Sequence, residues 1–185
     1  MKNKDKARIL RRCFFILPLY LTLFIGFNIE FNIRILLFSL IGFTFALFLI
    51  LLNFRSWRLV LNKDIILSQN LLSISNCASR AIYLILTAIG EELFFRNLFL
   101  TVSTPTNKLY MIFISTLCFV TMHINNKTRE IQKFDMLLEA VFSIFSGFLY
   151  ILSNSCVPSI IAHISFNFPY ALIDIKYIYC KLKKG

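Results

Sequence analysis

Long uncharged apolar runs alternate with short polar segments along this 185-residue chain. The first, residues 13–29, follows a segment carrying Lys2, Lys4, Lys6, Arg8, Arg11 and Arg12. A secretory signal begins the same way. Here, however, no small-x-small cleavage site follows and a second run comes almost at once, which predicts a retained first span. Residues 35–54 hold no charge, enough for one bilayer-crossing helix, and Arg55, Arg58 and Lys63 end it. Residues 64–76 alternate apolar and polar positions without the length to cross, which predicts a short amphipathic helix at the interface. A third span is predicted over 77–102, a turn over 103–107 and a fourth span over 109–126. Residues 127–135 read as a polar loop. From 140 to 173 there is no Asp, Glu, Lys or Arg. That run is too long for one helix and is broken by residues 154–158, so it reads as a hairpin of spans five and six. Residues 176–185 form a basic tail.

This pattern predicts an all-α polytopic membrane bundle of about six helices, a single integral domain over residues 1–185. Composition agrees: 58% of residues are hydrophobic, only 16% are charged, and mean hydropathy is +0.73. A net charge of +11 would suggest nucleic acid in a soluble chain. Here the basic residues gather at the ends of apolar runs, so topology explains them and no nucleic-acid partner is expected. All Lys and Arg except Arg34, Arg96 and Lys108 fall on one side of a six-span arrangement. The positive-inside rule therefore predicts a multi-pass protein of the plasma membrane with both termini cytoplasmic. The five cysteines have no metal-type spacing.

Candidate chemistry lies inside the apolar runs. Glu91, Glu92 and Arg96 sit in the third span, where each ionisable side chain costs at least ~2.5 kcal/mol to insert. The chain's two histidines, His123 and His163, are also inside predicted spans. Measured from the outer helix ends, Glu91, His123, His163 and Asn167 lie about seven to fourteen residues in. At ~1.5 Å per residue that is roughly 10–20 Å, so all four can meet near the midplane. Glu92 and Arg96 are i,i+4 and can form an ion pair. Glu91 points about 140° away from Arg96 and is left for another partner. Phe119 and His123 share one helix face, as do His163 and Asn167. His163 with Asn167 suits an oxyanion. Glu91 with His123 suits deprotonation of a water, since a carboxylate removed from water is the stronger base. Glu139 near the start of span five reads as a helix cap in preference to an entrance residue.

The motifs Glu91-Glu92-x-x-x-Arg96, Phe119-x-x-x-His123 and His163-x-x-x-Asn167, in that order and in separate spans, resemble those of the CPBP intramembrane proteases. These are the CAAX prenyl endopeptidases and the bacteriocin-processing or self-immunity proteins, also called the Abi family. The resemblance covers about residues 77–170. It implies that Glu91 and His123 activate water, that His163 and Asn167 form the oxyanion site, and that Glu92, Arg96 and Phe119 support them. Members are described both as metalloproteases and as metal-free glutamate enzymes. A zinc ion, if present, would take Glu91, His123 and His163, although no HExxH motif occurs. The substrate implied is a peptide or lipidated protein at the bilayer. An Asn-, Lys-, Ile- and Phe-rich composition suits an AT-rich bacterial genome, which points to a pheromone, a bacteriocin leader or a membrane-anchored peptide. Two competing readings remain: a non-proteolytic immunity or regulatory protein, and an acyltransferase acting on lipoproteins.

Overall fold

The computed structural model describes residues 3–25, 32–68, 73–123 and 129–183. All regular structure among them is helical. Helix α1 is Asn3–Tyr20 and runs into a 3-10 turn, Leu21–Ile25. Then come α2 Ile33–Leu52, α3 Phe54–Val60 and α4 Lys63–Ser68. Helix α5, Ile74–Glu92, continues through a π-helical stretch, Leu93–Leu98, into α6, Phe99–Thr101. Helices α7 Lys108–His123, α8 Arg129–Ser153 and α9 Val157–Leu182 complete the chain.

Helix α2 has the polarity of a lipid-facing element. Its buried residues are Ile35, Ser39, Gly42, Ala46 and Leu49, mostly small, while Leu36, Leu40, Phe43, Leu47, Phe48 and Leu51 are exposed. Without a hydrophobic drive between helices in lipid, small residues at the contact let backbones approach and gain dispersion energy. Gly42 is the closest point: a Cβ there would lie 3.0 Å from the Pro158 carbonyl oxygen and 3.1 Å from the Ala162 Cβ, both on α9. Backbone cannot yield as a side-chain tip can, so Gly42→Ala is expected to destabilise the fold by about 1–3 kcal/mol. Thermal unfolding in detergent measures this, and an unchanged midpoint would contradict the close α2–α9 approach. By length and composition, α2 and residues 136–153 of α8 are each able to cross a membrane.

Helix α9 packs against both α2 and α5. At one end, Arg80 of α5 pairs with the buried Asp174 of α9, its Nε donating to Oδ2 at 2.7 Å and its Nη2 meeting Oδ1. Arg12 of α1 docks beside it, donating to Ser79 Oγ at 2.7 Å and to the Asn76 carbonyl. In the sequence Arg80 is only one of the basic residues that set topology, and Asp174 belongs to no motif. Lys176 then ties α9 to the α3–α4 corner by donating to the Leu61 carbonyl at 2.7 Å.

Several boundaries differ from expectation. Span two ends at Leu52 and not at residue 54, and the interfacial segment is two short helices, α3 and α4. Residues 129–135, read as loop, are the first turns of α8. Most of the basic tail is α9, which runs to Leu182. The reason is common to both: an apolar run ends where the lipid does, but Lys, Arg, Glu and Gln are good helix formers and carry the helix onward. Glu139 therefore sits three turns inside α8 and does not cap its N-terminus. The hairpin break falls as expected, with Asn154 at φ 54° between α8 and α9. Parts of the expected first span (26–29), interfacial segment (69–72), fourth span (124–126) and polar loop (127–128) lie outside the described residues.

Candidate active site

The third span delivers its charged motif at a change of helical geometry. Helix α5 reaches Glu92 with regular i,i+4 hydrogen bonding and then widens into the π stretch. An insertion of this kind offsets the backbone ladder, and such bulges recur at functional sites. The Phe95 carbonyl accepts a hydrogen bond from Ser115 Oγ of α7 at 2.7 Å. Gly90, just before the motif, lets α1 close in: a Cβ there would lie 3.0 Å from Leu19 Cβ and from the Tyr20 ring.

Glu91, Glu92 and Arg96 are all buried, at 5%, 0% and 1% exposure. Arg96 Nε lies 3.2 Å from Glu92 Oε2, the expected i,i+4 ion pair. The approach is off-axis for a hydrogen bond, so the contact is charge against charge; neither atom has a hydrogen-bond partner among the described residues. The other oxygen of Glu92 turns to α9. His163 Nδ1 lies 2.9 Å from Glu92 Oε1. The Glu92 oxygen is the acceptor in this contact, so Nδ1–H donates and Nε2 is presented to the opposite side.

Glu91 occupies that side. Its Oε2 is 3.6 Å from His163 Nε2 and its Oε1 is 3.8 Å from His123 Nε2. His123 is fixed in the same sense as His163: its Nδ1 lies 2.8 Å from the Phe119 carbonyl oxygen, again an acceptor. Both imidazoles thus turn Nε2 toward one carboxylate. The Phe119 ring fills the space behind, with its centroid 4.6 Å from that of His123 and 5.7 Å from that of His163. The Arg96 guanidinium carbon stands 5.2 Å over the same ring, where the π face favours a cation.

Glu91, His123, His163 and Asn167 all line one cavity of about 430 Å³, closed on other sides by apolar residues such as Phe15, Leu19 and Phe166. Glu139 lines it too, as an entrance residue would. Every residue singled out by the motif spacing is therefore at this site: Glu91, Phe119, His123, His163 and Asn167 on the cavity wall, and Glu92 and Arg96 behind it. Sequence reasoning missed two contacts. It gave Glu92 to Arg96 alone, whereas Glu92 also holds His163. It also passed over Ser115, though Ser115, Phe119 and His123 recur every four residues along one face of α7.

Residues 73–169, more than half of the chain, match the family described as Type II CAAX prenyl endopeptidase Rce1-like. No curated protein and no solved structure matches the chain. The matched segment starts at the N-cap of α5 and ends beyond Asn167, so it takes in the two glutamates, the arginine, both histidines and the asparagine. The chain belongs to the Rce1-like type II CAAX prenyl endopeptidases, within the CPBP group of membrane proteases.

Proposed function

We propose that this protein is an intramembrane endopeptidase that hydrolyses a peptide bond of a membrane-associated peptide or lipidated protein with a water activated by Glu91 and His123. The observation that carries this reading is Glu91 held between the Nε2 atoms of two imidazoles on the wall of a cavity. Arg96 is balanced by Glu92, so Glu91 is not consumed in neutralising it. A water on the cavity side, donating one hydrogen bond to His123 Nε2, gives its other proton to the Glu91 carboxylate as its oxygen attacks the scissile carbonyl. The Asn167 amide donates to the resulting oxyanion, with the His163 ring held beside it by the contact of its Nδ1–H with Glu92. Glu91 then returns the proton to the departing amine, which closes the cycle with atoms and charge balanced.

The donor set also fits a divalent ion such as zinc. Two imidazoles present Nε2, and each gives Nδ1 to an oxygen acceptor, as metal-bound histidines do. Glu91, His123 and His163 would hold the ion, and it would supply Lewis-acid polarisation. Among the described residues no three His, Cys, Asp or Glu stand as a preformed metal group. In the same reading the chain is one integral domain crossing the plasma membrane six times, with both termini in the cytoplasm. The apolar outer face of α2 and the placement of basic residues at the ends of apolar runs support this.

The test compares membranes carrying wild type or Glu91→Ala at matched levels in the native host, with membrane and secreted peptides profiled by mass spectrometry. A peptide shortened only by wild type establishes proteolysis and names the substrate. An acyl-mass change on a lipoprotein would replace the reading with acyl transfer. Identical profiles, with the biological phenotype kept by the mutant, would leave an immunity or regulatory role in its place.

A further inference from the structure

We infer that Ser115 is a positioning residue of this site, acting through Arg96 and Glu92 to fix the ring of His163; the inference rests on the proposed role of that ring. Ser115 lies in the middle of α7, is 1% exposed and does not touch the cavity. Its hydroxyl does two things at once. It donates to the Phe95 carbonyl inside the π stretch at 2.7 Å, and it accepts from Arg96 Nη1 at 3.3 Å. The contact with Arg96 is the notable one. Among the described residues, Nε and Nη2 of Arg96 have no hydrogen-bond partner. Ser115 therefore gives the guanidinium its directional contact, while Glu92 and the Phe119 ring supply attraction of lower angular precision.

A continuous path leads from there to the chemistry. Ser115 orients Arg96, Arg96 Nε stands 3.2 Å from Glu92 Oε2, Glu92 Oε1 holds His163 Nδ1 at 2.9 Å, and His163 Nε2 faces Glu91 at 3.6 Å. Rotation of the guanidinium swings Glu92 with it and loosens the acceptor that selects the Nδ1–H form of His163. Few side chains suit the position. It needs a donor and an acceptor on one atom, in a space between two helices that are in contact; Ala has neither, and Asp or Asn is larger. The π stretch and Ser115 are then one device: the widened turn offers a carbonyl to the hydroxyl, and the hydroxyl's remaining lone pair takes the arginine.

The chain has only two histidines, so the ring nitrogens can be read directly in full-length protein labelled with ¹⁵N-histidine in nanodiscs. A His123→Gln sample assigns the two rings. The expected wild-type spectrum has His163 in a single Nδ1–H form. Ser115→Ala is expected to shift the His163 nitrogens toward a mixture of forms while leaving His123 unchanged, and Ser115→Thr to restore them. Cleavage of the peptide identified by the mass-spectrometric comparison is expected to fall about tenfold in Ser115→Ala, chiefly in kcat, and to recover in Ser115→Thr. Should Ser115→Ala not accumulate, Ser115→Cys, with a weaker donor and acceptor, is read in the same way. A wild-type His163 spectrum in either variant overturns the inference, whatever the activity. A shifted His163 ring in Ser115→Ala, with wild-type protein cleaving nothing in the mass-spectrometric comparison, upholds the inference and sinks the peptidase reading instead, so the two failures are distinguishable.

Discussion

Glu91→Gln is expected to leave the protein in the membrane at wild-type abundance and to lower cleavage by about 100- to 10,000-fold, the range for loss of a positioned general base. Gln keeps the shape of Glu, and its NH2 can donate to one of the Nε2 atoms of His123 and His163, which now stand 3.8 Å and 3.6 Å from the carboxylate oxygens. What is lost is the ability to take a proton from water. Glu91 differs here from its neighbour. It lines the cavity, whereas Glu92 is fully enclosed between Arg96 and His163. Immunoblotting of membrane fractions gives the abundance, and the mass-spectrometric comparison gives the cleavage. Full activity in the Gln variant would refute the assignment of Glu91 as the base.

Glu92→Ala is expected to fail at an earlier stage, by failing to accumulate. Removing one partner of a buried ion pair costs about 3–5 kcal/mol because the other charge is left uncompensated, and native folds are stable by only about 5–15 kcal/mol. Arg96 is 1% exposed and cannot reach water by a change of rotamer alone. The variant also takes the acceptor from His163 Nδ1. A double variant separates the two losses. Glu92→Leu with Arg96→Met removes both charges and keeps most of the volume, so abundance is expected to recover. Cleavage is not expected to recover with it, because His163 still lacks its carboxylate. Pulse-chase decay of the three proteins in membranes, set beside their cleavage activity, checks both statements. Wild-type lifetime in Glu92→Ala would show that Arg96 does not depend on Glu92, and activity in the double variant would show that His163 does not.

The membrane character and the i,i+4 pairings could be read before any coordinates. Each depends on distances along one chain segment. A helix repeats every 3.6 residues, so Glu92 must come near Arg96, Phe119 near His123 and His163 near Asn167 wherever those helices end up. The same locality explains the errors. Residues 127–135 read as loop because polarity marks the edge of lipid, and the edge of a helix was placed with it. The misreading of Glu139 as a cap followed directly, since a residue can cap only if the helix begins beside it. Once α8 starts at Arg129, the same side chain faces the cavity.

The sequence by itself determined which ionisable side chains lie inside apolar runs, where a charge is costly and a partner within the same motif lowers that cost. It pointed to Glu91 with His123 but gave no sign that Glu92 meets His163. Glu91 and Glu92 are adjacent in the chain and chemically identical. The packing of α9 against α5 and of α7 against the π stretch alone places Glu92 against His163 Nδ1 and Glu91 against the two Nε2 atoms. The π stretch was equally out of reach, since its widened turn is stabilised by a hydroxyl twenty residues away on another helix. Local periodicity fixes neighbours on one helix, and only tertiary packing, which sets rotation and depth between helices, decides what those neighbours face.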